Sequence, residues 1–130
     1  MSINYMYGNT IGMAEKALGF QWAKQQVLSD NIANVDTPGY KSRYVTFEEA
    51  FTNRLNNSIS GRDRMDIGKA VEGARWRIHR THNETARLDG NNVQPDVELV
   101  EMTRTALQYQ HLMNSVSSDI RRLTGAIKGQ

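Results

Sequence analysis

The sequence predicts a mainly α protein whose long N- and C-terminal helices pair as an antiparallel coiled coil, joined by a loop-rich middle segment with a short helix and short strands. Three observations predict it. Leu99, Met102, Ala106, Tyr109, Met113, Val116, Ile120, Leu123 and Ile127 alternate in spacings of 3 and 4, the pattern of a heptad seam. A second such series, Ile11, Ala14, Leu18, Gln21, Gln25, Leu28, Ile32 and Val35, occupies the other end of the chain. A face that repeats every 3.5 residues is buried most fully by a second helix wound along it. Between the two ends, large apolar residues are too sparse to build a core of their own.

The composition sets limits on what such a pair can belong to. The chain has 130 residues, 38% of them hydrophobic, with a net charge of +2 from 16 basic and 14 acidic side chains. Its mean hydropathy of −0.62 suits a soluble, loosely packed or elongated protein. There is no cysteine, so disulfides, thiolate metal sites and cysteine nucleophiles are excluded. Residues 1–12 have neither a basic nor an apolar signal region, and no run reaches the length of a membrane span. The expectation is export, if any, without a cleaved signal peptide and without stable membrane insertion.

Taken in order, residues 1–10 read as an arm. The N-terminal helix is expected over 11–36, with Gly19 costing about 1 kcal/mol relative to alanine. Met13, Phe20 and Val27 recur every seven residues on the back of this helix. Two apolar faces on one helix mean either burial on both sides in a compact monomer or a contact between subunits. The reading favoured here assigns Met13, Phe20 and Val27 to subunit contact, with Ile11, Ala14, Leu18, Leu28 and Ile32 in the intrachain seam. Asn34 and Pro38 stop the helix, and Thr37-Pro38-Gly39-Tyr40 fits a type II turn. Residues 37–95 form the middle segment. Thr46 and Glu49 make a capping box for a short helix over about Phe47–Asn56. Residues 57–74 have the composition of a mobile stretch. Arg75–His79 alternates with Trp76 and Ile78 on one side, as a strand does. Asp89-Gly90 is a turn dipeptide. The C-terminal helix is expected over 96–130, with Asp96 as N-cap, Glu98 and Glu101 near its positive end and Arg121, Arg122 and Lys128 near its negative end.

Two groups of residues suggest chemistry. His79, His82 and Glu84 lie close together, but Arg77 and Arg80 flank them and oppose a cation, so they read as surface residues without a metal role. Arg62, Arg64, Lys69, Arg75, Arg77, Arg80 and Arg87 bring seven positive charges with Trp76 into residues 62–87, the basis of an alternative reading as a small helical nucleic-acid-binding protein. Asp63, Asp66, Glu72 and Glu84 interleave with them, which suits a solvated or subunit-contacting surface better. No nucleophile elbow or glycine-rich phosphate loop is present, so neither catalytic nor cofactor-binding residues are assigned.

The string Asn31-Ile32-Ala33-Asn34-Val35-Asp36-Thr37-Pro38-Gly39-Tyr40-Lys41 closely resembles the N-terminal signature of bacterial flagellar rod and hook axial proteins. Asp89-Gly90-Asn91-Asn92-Val93, then Glu101-Met102, Leu107-Gln108-Tyr109-Gln110 and Ala126-Ile127-Lys128-Gly129, resemble the C-terminal part of the proximal rod proteins of that family. The similar regions span residues 11–47 and 88–129. Gln94-Pro95 departs from the family pattern, which has Asp-Leu or a similar pair there. The resemblance implies a structural subunit of the flagellar basal body, exported by the type III flagellar apparatus into the periplasmic rod, which transmits torque and lines the export channel. It implies as partners copies of itself, other rod proteins, the hook-basal body adaptor protein and the export gate, and no cofactor, small-molecule substrate or nucleic acid. Because a seam interrupted by two glutamines gives too little burial alone, free subunits are expected to be partly disordered at both ends and to fold on assembly.

Overall fold

The computed structural model describes residues 2–47, 64–82 and 87–129. Helix α1 spans Ser2–Ala33, strand β1 Arg43–Phe47, helix α2 Arg64–Glu72, strand β2 Trp76–Arg80 and helix α3 Pro95–Lys128. The tract expected as an arm is therefore the first part of α1. Residues 2–10 hold no proline, and extending an existing helix adds a hydrogen bond for each residue fixed, whereas starting one does not. Helix α3, at 34 residues, is about 50 Å long.

The two long helices run antiparallel. Gln21 Nε2 donates to Gln108 Oε1 (3.1 Å), Lys24 Nζ to Glu101 Oε2 (2.9 Å) and Asn31 Nδ2 to Glu98 Oε2 (3.0 Å), so partners on α3 fall in number as those on α1 rise. These polar pairs also correct the expected seam. The least exposed stripe of α3 is Glu98, Met102, Thr105, Tyr109, Leu112, Val116, Asp119 and Leu123, while Leu99, Ala106, Met113, Ile120 and Ile127 are exposed. Alternate seam positions thus lie one residue earlier than the apolar pattern implies. The cause is α1, whose Lys24 and Asn31 require polar partners in a partly buried interface and so turn that side of α3 toward them. On α1 itself, Leu28 is buried, Ala14, Leu18 and Ile32 are half-buried, and Ile11 is exposed.

Strands β1 and β2 pair antiparallel, Val45 opposite Ile78 and Phe47 opposite Trp76. The hairpin packs on α1, where the Phe20 and Phe47 rings stack at 4.3 Å. Helix α2 packs beside it, with Ala70, Val71 and Ala74 buried. Two helical glycines make this approach possible: a Cβ on Gly12 would meet Val71 Cγ1 at 3.3 Å, and one on Gly19 would meet Trp76 Cη2 at 2.8 Å.

Of Met13, Phe20 and Val27, expected at a subunit contact, the last two are covered by this layer. Val27 is buried within the chain, Phe20 is stacked on the hairpin, and Met13 alone of the three is exposed. The middle segment carries enough apolar surface, in Val45, Phe47, Val71 and Trp76, to cover the back of α1, which its sparse composition conceals. The expected strand at Arg75–His79 is observed as Trp76–Arg80. Phe47, expected to open a helix, ends β1, and the rest of the short helix expected to Asn56 lies outside the described residues. Of the stretch expected to be mobile, 57–63 lies outside them as well, and Arg64–Glu72 is helical.

Helix α3 begins one residue earlier than expected. Gln94 is the N-cap without a side-chain cap bond, Pro95 occupies the first helical position, and Gln94 O accepts from Glu98 N at 3.0 Å. Proline is suited to that position, because its fixed φ is already helical and its absent N–H would lack a helical partner anyway. Asp96 consequently falls inside the first turn.

Candidate functional site

The two sequence motifs, about fifty residues apart, meet at one end of the helix pair. The site begins with Asn31, in the last turn of α1 and fully buried at 0% exposure. Its Nδ2 donates to Arg43 O (2.8 Å) and Glu98 Oε2 (3.0 Å), and its Oδ1 accepts from Arg43 N (2.9 Å) and Tyr40 OH (3.3 Å). One amide thereby ties α1 to the start of β1 and the start of α3. All four of its hydrogen-bonding positions are used, as burial of a side-chain amide requires.

Asn91 makes the reciprocal tie and is also 0% exposed. Its Nδ2 donates to Asn34 O and Thr37 O, both at 2.9 Å, and its Oδ1 accepts from Val93 N at 2.8 Å. The loop before α3 is therefore fastened to the loop after α1. Asn92 continues the link, accepting from Ser42 N at 2.7 Å through Oδ1 and donating its own N–H to Tyr40 O at 3.4 Å. Lys41 Nζ donates to Gly90 O at 2.8 Å. Asn34 closes the end of α1, its Nδ2 donating to Asp30 O at 2.8 Å.

The glycines of both motifs serve this contact. Gly39 has φ 72° and follows Pro38 in the turn closed by Tyr40 N donating to Thr37 O, as the sequence predicts. Gly90 has φ 84° and lies against it, so that a Cβ on Gly90 would stand 3.4 Å from Gly39 Cα. Gly39 N donates to Asp89 O at 2.8 Å across the approach. Sequence reasoning grouped these residues as family motifs without seeing that they touch. It placed Arg87 only among the basic residues of 62–87, whereas its guanidinium donates to Val35 O at 2.7 Å and stands 3.1 Å from Asp89 Oδ2.

Beside the knot, charge enters the helix interface. Burial pushes the Glu98 carboxyl above its ordinary 4.5, opposed by the Asn31 hydrogen bond and aided by the Glu101 charge. The hydrogen bond from Lys24 holds Glu101 below 4.5, against a smaller effect of burial. The two shifts act on opposite sides of that value. For Glu98 the folded state binds the proton more tightly, so its contribution to stability falls as pH rises from 4.5 through the folded value. For Glu101 the unfolded state binds it more tightly, so its contribution falls as pH drops below 4.5. Glu98→Gln, which keeps the acceptor for Asn31, is expected to flatten the decline above pH 4.5 and leave the acid limb intact; urea unfolding across pH 3 to 8 checks this.

Of the groups read for other chemistry, His79 and Arg75 make hydrogen bonds within the chain. The His79 ring nitrogen lies 2.7 Å from Thr46 Oγ1, and its ring stacks on Tyr44. Among the described residues no cluster of three or more His, Asp or Glu is arranged to hold a metal. Arg75 donates to Glu72 O and Ala74 O, and Arg80 stands opposite Arg43 across the strands. The side chains of Arg62 and Arg64 lie outside the described residues.

Two fully buried asparagines and two turn glycines here join the segments of a long antiparallel helix pair, as a structural protein requires, and residues 12–41 match the family described as flagella basal body rod protein. Over 127 residues the chain is 28% identical to the flagellar basal body rod protein FlgB of Bacillus subtilis, covering 95% of this chain and 97% of that protein. FlgB of Borreliella burgdorferi is 31% identical over 122 residues, covering 86% and 90%, and FlgB of Escherichia coli 26% over 126 residues, covering 88% and 89%. The chain belongs to the FlgB family, structural subunits of the flagellar basal body rod.

Proposed function

We propose that the subunit stands at the proximal end of the rod, beside the export gate and the adaptor protein. There its helix pair forms part of the wall that transmits torque and surrounds the export channel. The observation that carries this reading is the knot: Asn31 and Asn91 fasten both long helices at one end, so the pair acts as a single stiff element about 50 Å long. A load-bearing wall needs such an element more than it needs a large core. No helix among the described residues is long and apolar enough to cross a membrane, which agrees with a place along the axis. The chain reaches it through the flagellar export apparatus without cleavage.

The test is complementation. In a flagellated bacterium lacking its own FlgB, this chain is expected to restore rods and swimming and to be recovered from purified basal bodies with its N-terminal sequence uncleaved. Swimming restored with the chain absent from basal bodies, or recovery of a processed N-terminus, would overturn the reading.

A further inference from the structure

The two outer edges of the hairpin differ. Thr81 N donates to Ser42 O at 2.8 Å, so the next bonded pair of the antiparallel ladder is Tyr44 with His79, and Arg43–Arg80 and Val45–Ile78 exchange no bonds. The backbone N–H and C=O of Arg43 consequently face out of β1. There Asn31 Oδ1 accepts from the first at 2.9 Å, and Asn31 Nδ2 donates to the second at 2.8 Å. A side-chain amide thus does on β1 what a third strand would do. On β2 the same parity turns the N–H and C=O groups of Trp76, Ile78 and Arg80 outward, and no other described segment pairs with them. Ile78 shares a face of the sheet with the buried Val45 opposite it, yet at this edge it is 55% exposed.

We infer that the outer edge of β2 is a docking site for an extended acidic segment of a different protein, added to the hairpin as a third strand. The outward backbone groups supply the pairing, and Ile78 offers an apolar step to a side chain of the added strand. Charge selects the partner. Neither strand holds an acidic residue, while Arg77 and Arg80 lie on β2, Arg75 just before it and Arg43 on β1. Arg43 and Arg80 stand directly opposite each other, which is unfavourable for like charges, and neither joins an ion pair among the described residues. A carboxylate on an added strand, level with Arg80, offsets that repulsion. Two copies of this chain joined edge to edge would set arginine against arginine, so the occupant is another chain. A nucleic acid would use the arginines and leave the outward amides and Ile78 idle. The site draws on neither the knot nor the long helices, and it does not depend on the place in the rod proposed above.

The probe is a soluble peptide of about eight residues alternating valine and glutamate, titrated into the full chain labelled with nitrogen-15. At saturation the amides of Ile78 and Arg80 are expected to shift and to exchange with solvent at least about tenfold more slowly, while those of Leu28 and Met102 are unmoved. A valine–lysine peptide, and the acidic peptide with every amide N-methylated, are expected to do neither. Ile78→Pro removes an N–H that β1 does not use and is expected to abolish the response. Arg80→Glu is expected to weaken binding at least about tenfold, and it decides the matter if the proline disturbs the Tyr44 and His79 resonances of the hairpin. No response up to millimolar peptide, shifts confined to other surfaces, or an equal response to the lysine peptide would overturn the assignment. So would undiminished binding by Arg80→Glu, or protection of β2 by a mixed-sequence oligonucleotide and not by the peptide.

Discussion

Replacing Asn91 by alanine is expected to remove about 4 kcal/mol of stability, a large share of the 5–15 kcal/mol typical of a folded domain. The change deletes three side-chain hydrogen bonds and leaves Asn34 O, Thr37 O and Val93 N inside the knot without them. Val93 N is left unpaired in a buried position, at about 1–3 kcal/mol, while Asn34 O and Thr37 O keep the bonds from Thr37 N and Tyr40 N and lose a net value of about 1 kcal/mol each. Asn91→Asp is expected to fare no better despite its matching shape, since it turns a carboxylate oxygen toward the Asn34 and Thr37 carbonyls in place of a donor. Urea unfolding followed by circular dichroism measures both. A loss under about 1 kcal/mol would show that the loops hold together without the amide.

Gly19→Leu is expected to cost about 2–3 kcal/mol, although leucine is much the better helix former. The site has no room: even a Cβ would lie 2.8 Å from Trp76 Cη2, and the indole is a rigid plane held by β2. The decisive comparison is Gly19→Ala in two backgrounds. Beside Trp76 the added methyl collides with the ring. In a Trp76→Ala background the collision is gone, and the same change should gain roughly 0.5–1 kcal/mol through helix propensity. A reversal of sign between backgrounds, read from thermal or urea unfolding, identifies Gly19 as the seat of the tryptophan. Equal effects would return it to a simple weak point in the helix.

Gly19 also shows where a sequence stops being legible. As one residue in a helical pattern it looks like a defect, because its purpose lies in Trp76, more than fifty positions away. The long helices, the Pro38-Gly39 turn and the β2 strand announce themselves through periodicity and turn chemistry, which are local. The facing of α3 does not. Leu99, Ala106, Met113, Ile120 and Ile127 are more apolar than Glu98, Thr105 and Asp119, so a pattern of hydrophobicity selects the wrong alternates. What decides the matter is the need of Lys24 and Asn31 for partners, and that becomes visible only when α1 is alongside. The role of Phe20 and Val27 is hidden for a related reason, since strand and helix segments too short to form a core alone cover one that another element supplies. The Asn31 and Asn91 motifs could be recognised as strings, yet their contact depends on two turns being folded at once.

The placement of the knot has a mechanical corollary. It holds the last turn of α1 and the first turn of α3, so the start of α1 and the finish of α3 share the opposite pole of the molecule. Strand separation of the pair, like that of a zipper with its stop sewn at one end, therefore has a single direction. Amides near Gly12 and Leu123 should open at lower free energy than those near Leu28 and Met102, and fluorophores attached at both chain ends should part company before any signal arises from the sewn end.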